Sequence, residues 1–218
     1  MTDKVENKTE EDLPEGAEAH HFEVGEDFTV KPPDGNHAFI SVWDNALEDE
    51  WCDKLIGMFE EQESLQQKTV HPEFRSFTEL NFFNPQLGSE FEEASMYLLG
   101  KVSEYVESYR RHNNIVFFPS QCHNEEVRMK KYVAGSEDDF KYHADVGDYA
   151  SARRFLVCFF YLNTVEEGGQ TAFPDYNTSI EAKKGRLAIF PPFWTHPHSG
   201  QPAISNDKYI VGTYLHYM

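Results

Sequence analysis

A histidine and an aspartate one residue apart, His143-Ala144-Asp145, can present an imidazole and a carboxylate on the same face of a strand. A neutral imidazole plus a carboxylate is two-thirds of a facial triad for iron(II). Taken alone the tripeptide is weak evidence: with ten histidines in 218 residues, one His-x-Asp is expected about 0.6 times by chance. Three His-x-Glu pairs compete with it, His21/Glu23, His71/Glu73 and His123/Glu125, and the plain reading of any one pair is a solvated strand or loop. What distinguishes His143 and Asp145 is the β-rich sequence around them. A third ligand must come from elsewhere, and residues 195–217 offer His196 and His198, which would share a strand face, so periodicity does not choose between them. Lys208 lies ten residues beyond His198.

These residues need elements to hold them. From residue 115 onward the chain consists of short β-rich runs, VRMKKYV, RRFLVCFFYLN, GRLAIF and KYIVGTYLHY, separated by Gly, Pro, Asn and Asp. Several such strands in about a hundred residues predict a sandwich or jelly roll rather than a parallel sheet. Upstream, residues 37–43 (HAFISVW) read as a first strand. Asn45 and Glu48 form a capping pair for a helix that carries Leu47, Trp51, Leu55 and Phe59 on one face. A second helix is expected from Ser89, with Glu92 as its capping partner. Phe91, Ala94, Leu98, Val102, Tyr105 and Tyr109 form its apolar stripe, and it stops near His112-Asn113-Asn114. Gly168-Gly169 lacks the spacing of a phosphate-cradling loop and reads as a hairpin turn. Residues 67–86, containing FRSFTELNFFNP, and 146–152, VGDYASA, read as loops able to cover the mouth of a site.

The net charge is −19, from 38 acidic and 19 basic side chains. Such acidity disfavours phosphate backbones and anionic membranes as partners. Its distribution tempers that inference: residues 128–218 carry ten acids and ten bases, so the excess lies upstream. Residues 1–36 hold 11 acids and three lysines around a Pro-Pro-Asp-Gly break and read as a flexible acidic tail. Nucleic acid is therefore disfavoured rather than excluded. There is no run of 18 apolar residues and no signal-peptide pattern at the N-terminus, so a cytoplasmic location is expected. Cys52, Cys122 and Cys158 are odd in number and lack CxxC spacing, against a disulfide framework or a zinc ribbon.

The ordered set YHAD (142–145), RRFLVCFFYLNTVEEGGQTAFP (153–174), KKGRLAIFPP (183–192) and HSGQPAISNDK (198–208) resembles the catalytic core of the 2-oxoglutarate and iron(II)-dependent dioxygenases, and within them the prolyl 4-hydroxylase group. The resemblance covers roughly residues 125–218 well and 37–65 loosely. It implies a mainly β (α+β) fold, a double-stranded β-helix or jelly-roll core with supporting N-terminal helices, in a single catalytic domain at 37–218. His143, Asp145 and His198 become the iron ligands, while His196, with Asn206 rather than lysine ten residues on, is left a structural role. Lys208 becomes the anchor for the distal carboxylate of 2-oxoglutarate, with Thr171 and Tyr132 hydrogen-bonding the same group. Arg154 and Tyr214 match substrate-facing positions.

The implied reaction uses iron(II), 2-oxoglutarate and O2, with ascorbate as a reductant, to hydroxylate an unactivated C–H bond with release of succinate and CO2. The implied partner is a proline-containing protein or peptide. The alternatives are a free amino acid, another small molecule, another side chain or a nucleobase under the same cofactor chemistry, or a jelly-roll binding module without catalysis.

Overall fold

A computed structural model describes residues 39–71 and 73–218. The acidic tail expected at 1–36, and the start of the first strand, lie outside the described residues. Strand β1 (Ser41–Trp43) is followed by helix α1 (Asp49–Glu60), strands β2 (Gln67–His71) and β3 (Arg75–Asn81), and helix α2 (Ser89–His112). The rest is β structure: β4 (Cys122–Asn124), β5 (Arg128–Tyr132), β6 (Asp139–His143), β7 (Arg154–Tyr161), β8 (Thr171–Phe173), β9 (Thr178–Ile180), β10 (Leu187–Phe190), β11 (His198–Gly200) and β12 (Lys208–Tyr217). The strands pair antiparallel in the order β1-β10-β7-β12-β5-β3-β6-β11-β8-β9, with β2 on β3 and β4 on β12, and the sheet curls into a nearly closed, jelly-roll-like barrel.

Strand β7 shows how the sequence builds this. Its residues RFLVCFFY are buried from Phe155 onward because it runs between β10 and β12 with both faces covered. Period-two alternation then divides it. Leu156, Cys158 and Phe160 pack with Leu55, Phe59, Phe91 and Leu98 of the two helices, whereas Val157, Phe159 and Tyr161 pack with Phe173 and Phe190 inside the barrel. The helices thus cover the outside of one sheet half and leave the barrel interior to the site.

Helix α1 buries Leu55 and Phe59 as the spacing predicts, with Leu47 buried just before it and Trp51 stacked on Tyr97 of α2 at 4.1 Å. In α2 the buried stripe is Phe91, Ala94, Leu98, Val102, Val106 and Tyr109, so Val106 takes the place expected for the half-buried Tyr105. Neither expected cap forms. Asn45 sits in a left-handed turn (φ 55°) whose neighbours Ala46 and Leu47 donate to the Gly185 carbonyl, and α1 begins only at Asp49. The Glu48 carboxylate instead accepts from Tyr97 and from Lys101 (2.7 Å), tying α1 to α2.

Two further expectations are corrected. Most of 67–86 is the β2–β3 hairpin, and β3 is built into the barrel between β5 and β6. Its alternation is hidden in the sequence because Arg75, Phe77 and Glu79 face a polar cleft rather than a purely apolar core. Gly168-Gly169 does not close a hairpin, since β7 pairs with β10 and β12 while β8 pairs with β9 and β11. The turn instead carries the chain between the two halves of the barrel. At Gly168 (φ +78°) a Cβ would lie 2.3 Å from the Pro202 carbonyl oxygen, and Gly169 donates to that oxygen at 2.8 Å. No helix among the described residues is long and apolar enough to cross a membrane.

Gly168→Ala forces both a strained φ and a clash with backbone. It is expected to cost about 1–3 kcal/mol, read as a lower denaturation midpoint with unchanged slope. An unaltered midpoint would contradict the close approach to Pro202.

Candidate active site

His143 is the last residue of β6 and His198 the first of β11, and these two residues pair directly across the strands. Asp145 follows two residues after His143, in the turn beyond β6. One donor atom from each of the three lies within 4.8 Å of the others. The side chains of His143 and Asp145 are 4 % and 5 % exposed.

Each ring is aimed by the backbone carbonyl two residues before it. His143 Nδ1 donates to the Lys141 carbonyl at 2.6 Å and His198 Nδ1 to the His196 carbonyl at 3.1 Å, which leaves both Nε2 lone pairs facing the shared point. His196 itself lies outside the donor group, stacked against Tyr176. Burial pushes His198 below the ordinary imidazole range, so its ring is neutral and able to ligate. Burial alone would raise the Asp145 carboxyl, but His198, His143 and the Tyr214 hydroxyl together hold it below the usual carboxylate range. His143 Nε2 and Asp145 Oδ2 are buried without any hydrogen-bond partner among the described residues. Orphaned buried polar atoms of this kind are costly, and a divalent cation at the shared point would satisfy both.

Beside this group a small pocket of about 60 Å³ is lined by Tyr132, Thr171, His198 and Lys208, among others. Lys208 opens β12 opposite Tyr132, is 2 % exposed, and places Nζ 4.2 Å over the Tyr132 ring. Among the described residues its one hydrogen bond is to the Gly169 carbonyl at 3.1 Å. Burial pushes its ammonium down to about 7, with Asp139 opposing only in part. A buried cation held by one neutral acceptor calls for an anion. The Thr171 hydroxyl shares a 2.6 Å hydrogen bond with the Tyr161 hydroxyl, a partner that sequence reasoning passed over although Tyr161 opens the quoted YLN motif.

On the other side an open cleft of about 480 Å³ reaches His143 and Asp145. Arg154 and Tyr214 both line it, yet both are engaged with the protein. Arg154 grips Glu125 in a bidentate pair (2.5 and 3.0 Å), lies 4.0 Å over the Tyr214 ring and donates to the Asp145 carbonyl at 3.2 Å. Tyr214 donates to Asp145 Oδ1 at 2.8 Å. The chain Glu125–Arg154–Tyr214 therefore braces the carboxylate of the donor group. Lys130, Arg75 and Phe140, also in the cleft wall, were not singled out from the sequence. The available signal was the two-residue spacing that puts Lys130 on the same face of β5 as Tyr132.

A jelly-roll barrel with a buried His-Asp-His group beside an anion-seeking lysine defines a non-haem metal oxygenase site. The model of the 2OG-Fe(II) oxygenase superfamily matches residues 127–216, a span that contains all three donors and Lys208. The domain that contains residues 127–216 is thus similar to the 2OG-Fe(II) oxygenases, and it is a dioxygenase that works with iron(II), 2-oxoglutarate and O2.

Solved structures share the fold at low identity. A viral collagen prolyl hydroxylase from Paramecium Bursaria Chlorella virus-1, in complex with 2OG, superposes with a TM-score of 0.64 at 23 % identity, covering 85 % of this chain and 98 % of that one. A Pseudomonas putida prolyl-4-hydroxylase gives 0.63 at 16 %, covering 83 % and 94 %. A Trichoplax adhaerens prolyl hydroxylase in complex with a hypoxia inducible factor peptide fragment also gives 0.63 at 16 %, covering 83 % and 84 %. No curated protein sequence matches the chain.

Tyr214→Phe keeps the ring under Arg154 but frees Asp145 Oδ1. It is expected to weaken iron(II) binding by about 10–100-fold, measured by anaerobic calorimetric titration, with little change in melting temperature. An unchanged affinity would remove Tyr214 from the bracing chain.

Proposed function

We propose that the chain is a peptidyl-prolyl 4-hydroxylase whose single catalytic domain spans residues 37–218. In this reading His143, Asp145 and His198 hold the iron, and Lys208, aided by Thr171 and Tyr132, takes the distal carboxylate of 2-oxoglutarate. The observation that carries it is the placement of the donor group between two spaces of different character. The inner pocket is small and ends on a buried cation, while the outer cleft is open and about eight times larger in volume (about 480 against about 60 Å³). The structural relatives are prolyl hydroxylases, one of them in complex with a peptide fragment, and they support the choice of substrate.

Iron and 2-oxoglutarate supply the oxidising chemistry when bound, converting 2-oxoglutarate and O2 to succinate and CO2 as one oxygen enters the C–H bond. This chain's residues do the rest. Lys141 and His196 carbonyls fix the two imidazoles, and Tyr214 with Arg154 fixes the carboxylate. Lys208 orients the cosubstrate through a charge-assisted contact, strengthened by the dry surroundings that Tyr132, Val157 and Phe159 provide. The same apolar wall keeps bulk water from the reacting atoms. Ascorbate belongs to this reading as the reductant that restores iron(II).

Anaerobic addition of iron(II) and 2-oxoglutarate should give a weak visible charge-transfer band that His198→Ala abolishes. A panel of proline-rich peptides should then gain a single oxygen by mass spectrometry. Succinate formed only with a free amino acid or another small molecule, and no oxygen on any peptide, would replace the prolyl reading with the small-molecule one.

The Lys208 ammonium is half-titrated at about 7, charged well below it and lost as pH rises past it, because burial favours the neutral amine. Affinity for 2-oxoglutarate should therefore fall from pH 7 to pH 9, by up to about tenfold per unit, and Lys208→Met should bind weakly with that slope removed. A pH slope shared by wild type and variant would take Lys208 out of the anchor role.

A further inference from the structure

The cleft wall nearest the donor group is built by three strands in register. Arg75, Phe77 and Glu79 alternate along β3, with Arg75 opposite Phe140 on β6 and Glu79 opposite Lys130 on β5. Phe140 stacks on His143 with ring centroids 3.6 Å apart, so this wall touches the donor group directly. Two cations lean on the same pair of rings. Lys130 Nζ is 4.6 Å from the Phe77 centroid and 5.7 Å from that of Phe140, and the Arg75 guanidinium is 5.8 Å and 5.7 Å from them.

The other cations of the cleft are neutralised. Arg154 is paired with Glu125, and Arg128 contacts both Glu79 and Glu126 at 3.0 Å. Lys130 is left with Glu79 at 3.9 Å, beyond hydrogen-bond reach, on a carboxylate already engaged by Arg128. Arg75 forms no ion pair among the described residues, and its Nε is buried without a hydrogen-bond partner. Two half-buried cations share the Phe77 and Phe140 floor, and neither is hydrogen-bonded to a carboxylate among the described residues. A planar guanidinium fork next to an ammonium suits a monoanionic carboxylate.

We propose that Arg75 and Lys130 recognise a carboxylate on the substrate, held in the cleft beside the carbon that is hydroxylated. The proposal rests on the hydroxylase reading above and narrows its substrate class. The carboxylate is either an acidic side chain flanking the target residue of a peptide or the α-carboxylate of a free amino acid. Both sources present the same group to the same two cations, and the rings of Phe77 and Phe140 leave the adjoining space for an apolar ring or chain.

The test compares acid and amide forms of otherwise identical ligands on the enzyme held anaerobically with iron(II) and 2-oxoglutarate. One pair is a short proline peptide with aspartate or asparagine on either side of the proline, and the other is L-proline against L-prolinamide, both read by calorimetry. An acid that outbinds its amide by about tenfold or more supports the site, and the pair that discriminates identifies the source of the carboxylate. Arg75→Gln and Lys130→Met should each bring that ratio towards one, while Lys54→Gln, on the exposed face of α1, should keep it. No acid outbinding its amide in wild type, a comparison that needs no variant, would overturn the proposal. So would a preference surviving in both cleft variants. The hydroxylase reading is scored separately by admitting air: acid preference without oxygen gained by any peptide would sink the prolyl assignment and leave the carboxylate site standing.

Discussion

Burying two imidazole lone pairs and a carboxylate around one point is the constraint on which this structure turns. Without a cation the arrangement leaves His143 Nε2 and Asp145 Oδ2 buried with no hydrogen-bond partner among the described residues. The fold makes the arrangement tolerable by fixing each donor through a partner that faces away from the centre. Two backbone carbonyls orient the rings, and the Tyr214 hydroxyl, backed by Arg154 and Glu125, orients the carboxylate. Lys141, Arg154 and Tyr214 stand on β6, β7 and β12, while His196 and Glu125 lie in the connections before β11 and after β4, so strand register and two short connections together set the geometry of the centre.

Period-two alternation distributes the remaining tasks. On β7 one set of side chains faces the helices and the other faces the barrel interior. On β5 Met129 is buried in the core shared with the helices, while Lys130 and Tyr132 face the site. A one-residue slip of β5 would exchange these roles, turning Lys130 and Tyr132 toward the helices and Met129 and Lys131 into the site. The helices α1 and α2 act at a distance, because their apolar stripes hold the outer face of β7 and so keep β12, with Lys208 and Tyr214, in place.

Electrostatics divides the molecule in a way that total charge conceals. The chain carries −19 overall, yet the cleft wall is a set of nearly balanced pairs in which Arg75 and Lys130 are the exceptions. Lys208 is a third cation that forms no ion pair among the described residues, sealed in the inner pocket. Anionic groups are therefore expected on both sides of the metal-binding centre, one belonging to the cosubstrate and one to the substrate.

Much of this was readable from the chain itself. The jelly-roll strands after residue 115 were visible as runs between turn residues, and β5, β7, β10 and β12 stand where those runs stand. The apolar stripes of α1 and α2 were visible because helix periodicity repeats over several turns. His143, Asp145, His198 and Lys208 were recoverable from ordered motifs, although periodicity alone left His196 and His198 equivalent. Their surroundings differ in the tertiary structure: His198 pairs with His143 across β6 and β11, and His196 stacks on Tyr176. Tertiary structure also decided what residues 67–86 do: a strand facing a polar cleft has no hydrophobic alternation to betray it, so β3 and its Arg75, Phe77 and Glu79 become intelligible only once β5 and β6 lie beside them. Likewise the bracing role of Tyr214 and Arg154 joins residues 69 and nine positions from Asp145. Sequence determines which side chains are present and on which face of a strand they fall; which of them meet is set by strand pairing over distances along the chain that no local pattern records.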